Sequence, residues 1–129
     1  MHKQKLIFIV DDDPFINMLI VKRFSADGHK LYAFLSGEEC LESLNLDPDL
    51  IILDYFFIHS EKQIMNGLEV FNKLVELRPD IPVIMVSGQD RGEVVLELAR
   101  KGIADYIIKD NNLIENLERS IGELFNRKK

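Results

Sequence analysis

Short apolar runs alternate along this chain with stretches whose apolar residues recur every three or four positions, a rhythm of strands separated by helices. Lys5 to Val10 (KLIFIV) predicts a buried strand. Pro14 then stands where a first helical turn tolerates it, with Asp13 as cap, and the helix is expected to run to about Asp27 before Gly28 stops it in a left-handed turn. Lys30 to Leu35 (KLYAFL) predicts a second strand. Ser36 and Glu39 (SGEE) read as a capping-box pair opening a second helix, Gly37 to about Leu44, and Asn45 to Pro48 turns the chain into a third strand, Leu50 to Leu53. Leu68, Val70, Phe71, Leu74, Val75 and Leu77 fall at helical spacing and stop before Pro79. A fourth strand is expected over Pro82 to Val86, a fourth helix over about Gly92 to Lys101 with Gly102 at its end, a fifth strand over Ala104 to Ile108 and a fifth helix from Asn112 onward.

Strands and helices in strict alternation make an α/β protein. Right-handed crossovers build the five strands into a parallel, doubly wound sheet covered on both faces. Ligands of such a sheet gather in the crevice beyond the carboxyl ends of its strands. Four of the runs stop at a chemically capable side chain: Asp11, Asp54, Ser87 and Lys109. Carboxylates, a hydroxyl and an ammonium would therefore meet in one place, a combination suited to a metal ion and a phosphoryl group.

Composition narrows the setting. The 129 residues have room for one compact domain spanning the chain, with no separate output domain expected. No apolar run approaches the ~20 residues that cross a bilayer. The basic start, Met1 to Lys5, leads into a short strand and then acids, without the long apolar core of a signal peptide, so a cytoplasmic protein is expected. A formal net charge of -6 argues against a general nucleic-acid surface, and Arg127, Lys128 and Lys129 read as charges complementing a helix end. Cys40 is the only cysteine, which excludes an internal disulfide and a cysteine metal cluster, and its neighbours suggest no thiol activation.

Asp11, Asp12 and Asp13 in a row repel one another unless a cation or solvent compensates them. Hard oxygen ligands without histidine or cysteine suit Mg²⁺ or Mn²⁺. Asp54 is the candidate nucleophile, since a carboxylate can accept a phosphoryl group as a mixed anhydride. Lys109 would then supply a cation to that group and Ser87 a hydrogen bond.

Four motifs in order, FIVDDDP, IILDY, IMVSGQD and DYIIKD, make the chain resemble the receiver domains of two-component response regulators over essentially its whole length, in particular stand-alone chemotaxis-type receivers. The resemblance implies the flavodoxin-like receiver fold and a signalling role. Asp54 would accept a phosphoryl group from a histidine kinase or histidine-phosphotransfer protein, and the chain would catalyse its own phosphorylation and slow dephosphorylation. Asp11 and Asp12 would hold the metal together with Asp54 and the backbone carbonyl of Phe56. Ser87 and Lys109 would contact the phosphoryl group, and Ser87 with Tyr106 would form the switch that alters the face of the fourth helix, fifth strand and fifth helix.

Two departures bear on that site. Family members reach a glycine soon after the phosphoacceptor, whereas here Gly67 comes thirteen positions after Asp54, so the stretch Tyr55 to Asn66 is long and reads as a lid or a partner surface, with His59 and Glu61 read as part of a polar, solvated loop rather than as extra metal ligands. Asp110 stands where the family commonly has a cis proline, leaving either a trans or a strained cis bond after Lys109. On the first helix, a buried stripe of Ile16, Leu19, Ile20 and Phe24 would turn Phe15 and Met18 to solvent beside the acids, where a kinase or phosphotransfer helix pair could dock. Two other readings stay open. One is a degenerate receiver that binds proteins without phosphorylation. The other is a haloacid-dehalogenase-like phosphatase built on Asp11, Ser87 and Lys109, which leaves Asp54 unexplained.

Overall fold

The structure is a computed structural model and describes residues 4–55, 66–88 and 92–126. Five strands, β1 (Leu6–Val10), β2 (Lys30–Phe34), β3 (Leu50–Asp54), β4 (Val83–Ser87) and β5 (Asp105–Ile108), alternate with helices α1 (Pro14–Ser25), α2 (Gly37–Glu42), α3 (Gly67–Leu77), α4 (Gly92–Arg100) and α5 (Leu113–Phe125). All strand pairs are parallel, in the order β2-β1-β3-β4-β5. This is the expected doubly wound sheet, and the winding reverses between β1 and β3.

The pleat sends alternate residues into two cores. Phe8, Val10, Ile51, Leu53, Val83 and Met85 pack with Cys40 of α2, Val70, Phe71 and Leu74 of α3 and Leu98 of α4. Ile7, Ile9, Leu50, Ile52, Ile84, Val86 and Ile107 pack with Ile20 and Phe24 of α1 and Leu113, Leu117 and Ile121 of α5. Hence the central strands β3 and β4 are buried along their whole length, while the edge strand β2 is partly exposed.

Local signals start and stop the helices largely as expected. Asp13 Oδ1 accepts from the Phe15 amide at 2.9 Å with Pro14 in the first turn, and Lys22 and Arg23 complement the dipole in the last. The helix ends at Ser25, two residues short of the expected Asp27, because the turn that needs Gly28 at φ +89° already takes up Asp27 and Gly28. Gly102 at φ +93° ends α4 in the same way, with the Ile103 amide bonded back to the Leu98 carbonyl at 3.1 Å.

Helix α2 corrects the expected end at Leu44. It stops at Glu42, and Leu44–Leu46 tightens into a 3₁₀ turn that leaves Asp47 left-handed at φ 63° before Pro48. Its cap is also modified: Ser36 Oγ accepts from the Glu39 amide at 3.3 Å, but Glu39 reaches the Leu35 amide at 3.2 Å. The complete capping box is at α3, where Asn66 and Glu69 exchange bonds of 2.9 and 3.0 Å. No described helix is long and apolar enough to cross a membrane.

Candidate functional site

Strand register decides what meets at the carboxyl edge. Val10 pairs with Leu53, so Asp11 falls level with Asp54; Ser87 pairs with Ile108, the residue before Lys109. The ladder continues past the strands through Tyr55 N to Val86 O at 2.8 Å and Lys109 N to Ser87 O at 2.7 Å. Pleat parity then sorts the side chains. Asp11, Asp54 and Lys109 continue the rows of Ile9, Ile52 and Ile107 on the α1 and α5 face, whereas Ser87 and Tyr106 continue the row of Met85 on the opposite face.

Lys109 bridges the two buried carboxylates, its Nζ lying 2.7 Å from Asp11 Oδ2 and 3.2 Å from Asp54 Oδ1, with only 17% of its side chain exposed. Carboxylate oxygens of Asp11, Asp12 and Asp54 all lie within 4.8 Å of one another. Three carboxylates against one ammonium leave two negative charges in a largely buried crevice. Protonation behaviour agrees with that surplus. Burial, with the Asp12 charge added, holds the Asp11 carboxyl above its ordinary value despite the Lys109 bond and the Asp13 amide. Burial alone would lower the Lys109 ammonium, but the bond to Asp11 and the charges of Asp54 and Asp11 raise it above the usual lysine value. An all-oxygen donor set short of two positive charges fits one hard divalent cation.

The bond after Lys109 is trans, since no described peptide bond is cis, and with Asp110 in the proline's place Lys109 still reaches both carboxylates. Tyr106 is half-buried against the α2 to α4 core. Phe15 and Met18 are 59% and 55% exposed at the amino end of α1, as expected. The stripe beneath them differs from expectation: Ile20 and Phe24 are buried, Ile16 and Leu19 are only half-buried, and Asn17 takes the buried position. Residues 17, 20 and 24 lie on one helical face, so the spacing carried the signal, but an amide breaks an apolar pattern. Cys40 is buried, and burial pushes its thiol up to about 12. Phe56, His59 and Glu61 lie outside the described residues.

Gly67 returns the chain to this crevice after the long segment. Its amide donates to Tyr55 O at 3.0 Å, and a Cβ at this position would stand 2.2 Å from the Asp54 carbonyl oxygen. Only glycine lets the end of α3 lie this close to the strand that carries Asp54.

A family model described as the response regulator receiver domain matches residues 7–120. The chain belongs to that family. Among curated proteins, this receiver is 25% identical over 107 residues to the chemotaxis protein CheY of Thermotoga maritima, covering 81% of this chain and 85% of that protein. It is 27% identical over 109 residues to the transcriptional regulatory protein GlrR of Escherichia coli, covering 84% of this chain but 23% of that protein. The chain thus spans about a quarter of the length of several regulatory proteins it matches. A solved CheY-like receiver domain from Methanospirillum hungatei superposes with a TM-score of 0.80 at 27% identity, over 95% of this receiver and 94% of that chain.

Proposed function

We propose that this receiver takes a phosphoryl group onto Asp54 from a phosphohistidine of a histidine kinase or phosphotransfer protein, acting in the cytoplasm, and signals through protein contacts. The observation that carries the reading is the Lys109 bridge between Asp11 and Asp54, with Asp12 alongside. Asp11, Asp12 and Asp54 would hold Mg²⁺ or Mn²⁺, with the Phe56 carbonyl as a further ligand carried over from the family. The cation supplies charge compensation for the incoming phosphoryl oxygens.

An Asp54 carboxylate oxygen forms the new O–P bond as the N–P bond to the donor imidazole breaks, and the imidazole leaves with the bonding pair and takes a proton from water. Lys109 is already held at Asp54 and exchanges that contact for a phosphoryl oxygen. Ser87 donates its hydroxyl to another oxygen. Because Ser87 and Tyr106 share a pleat face, a hydroxyl drawn toward the phosphoryl group opens a packing change that Tyr106 follows. Taking such a switch from 1:99 to 99:1 requires about 5.5 kcal/mol of differential stabilisation, which the new charge-assisted bonds supply. Phe15 and Met18 form the donor's docking surface on α1.

Incubation with acetyl phosphate and Mg²⁺, followed by intact-mass measurement, tests the reading. A phosphoryl adduct absent from Asp54→Ala is expected. An adduct that persists in Asp54→Ala, or none with any donor, refutes it.

A further inference from the structure

Every polar group of Asp11 is tied down. Its amide donates to the Phe34 carbonyl at 3.1 Å, its Oδ1 accepts from the Asp13 amide at 2.9 Å and its Oδ2 pairs with Lys109. Its carbonyl accepts from Asn17 Nδ2 at 2.8 Å, a fully buried bond. Asn17 is 5% exposed and heads the buried stripe of α1, above Ile20 and Phe24, each 1% exposed. Helical side chains lean toward the amino end, so an amide in the second turn reaches back over the loop that carries the acids. The Asn17 backbone N–H donates separately to Asp13 O at 3.2 Å, closing a ring of bonds through Asp11, Asp13 and Asn17.

The other half of this side chain does nothing comparable. Asn17 Oδ1 is buried and accepts no hydrogen bond among the described residues. A half-satisfied amide on an apolar stripe is a poor choice for stability, where leucine would pack without an unpaired oxygen. What the amide contributes that leucine cannot is the grip on the Asp11 carbonyl.

We propose that Asn17 is a positioning residue of the acidic site, holding the backbone of Asp11 so that its carboxylate stands ready for the divalent cation. This rests on the receiver reading of the site. Asn17 touches neither cation nor phosphoryl group and acts through Asp11 alone, as outer partners orient the ligands of other metal sites.

The test compares the whole chain as wild type, Asn17→Leu and, as a packing control on the same stripe, Ile20→Val. Urea unfolding midpoints report stability, and electron paramagnetic resonance of free Mn²⁺ reports cation affinity without any phosphoryl donor. The initial rate of acyl phosphate formation from acetyl phosphate reports the chemistry. Asn17→Leu is expected to unfold at or above the midpoint of Ile20→Val yet to bind Mn²⁺ about tenfold more weakly than wild type. Ile20→Val should keep wild-type Mn²⁺ affinity. Wild-type affinity and rate in Asn17→Leu overturn the proposal, as does an equal loss of affinity in Ile20→Val, which would mark the effect as packing. Should Asn17→Leu not fold, Asn17→Ser, whose hydroxyl is too short to reach the carbonyl, is judged by the same criteria. A wild-type chain that binds no Mn²⁺ and forms no adduct on Asp54 refutes the receiver reading itself, a failure visible before any variant is compared.

Discussion

Replacing Gly67 by alanine probes how tightly the start of α3 is clamped to the strand that carries Asp54. The new Cβ would lie 2.2 Å from the Asp54 carbonyl oxygen and 2.6 and 2.7 Å from Tyr55 Cα and O, where ordinary contact begins at 3.4 Å. All three obstacles are backbone, so no side chain can swing away, and the helix end must withdraw by about 1 Å. Overpacking of this kind costs about 1–3 kcal/mol. Stretching the 3.0 Å bond from the Gly67 amide to Tyr55 O adds about 0.5–1.5 kcal/mol. A loss of about 1.5–4.5 kcal/mol leaves a typical domain folded, so its chemistry can still be measured. With Asp54 as the proposed nucleophile, a displacement of about 1 Å there should cost about 10²-fold in rate. Urea unfolding and the initial rate of phosphorylation by acetyl phosphate at saturating Mg²⁺ read the two effects separately. Gly122→Ala is the control: its Cβ meets nothing within 4 Å and its φ is not positive, so removing a helix-interior glycine should stabilise by about 0.5–1 kcal/mol. Wild-type stability and rate in Gly67→Ala would refute the clamp, and stability loss at an unchanged rate would show α3 yielding without moving Asp54.

Three further outcomes follow from the same geometry. Lys109→Met leaves Asp11 and Asp54 facing each other and should destabilise the cation-free protein by about 3–5 kcal/mol, with Mg²⁺ restoring part of it in urea titrations. Because the folded-state pKa of Lys109 is raised, its contribution is fully present below the ordinary lysine value and is lost as pH rises through the raised one. The stability gap between wild type and Lys109→Met should therefore stay constant from neutral to mildly alkaline pH and close above pH ~10.4; a gap that closes nearer neutrality contradicts the assignment. Cys40, buried with its thiol at about 12, should resist an aromatic disulfide reagent at pH ~8 in the folded chain and react with one equivalent in urea, and rapid reaction in native buffer would show the α2 core to be open. Phe15→Ser with Met18→Ser should leave phosphorylation by acetyl phosphate unchanged while slowing transfer from a phosphohistidine donor, and equal transfer rates would move the docking surface elsewhere.

Elements were legible in the sequence because their causes are local: apolar runs, Pro14 and Asp13 at a helix start, Gly28 and Gly102 at helix ends. Asp11, Asp54 and Lys109, which the structure brings together, were legible because each stands where an apolar run stops. What sequence could not supply is distance. Register sets Asp11 level with Asp54 and Ser87 one residue short of Lys109, and register is a property of strand pairs. Pleat parity, which separates Ser87 and Tyr106 from the carboxylates, depends on the same pairing. Asn17 was hidden because its partner is a backbone carbonyl six residues earlier that a helix and a strand end bring together. Gly67 counted only as a spacing, until the structure brought the backbone of Asp54 and Tyr55 against it. Sequence alone determined which side chains could do phosphoryl chemistry; tertiary structure decided that Asp11, Asp12, Asp54 and Lys109 meet, with two negative charges left over, because charge balance and close approach exist only once distant segments share a crevice.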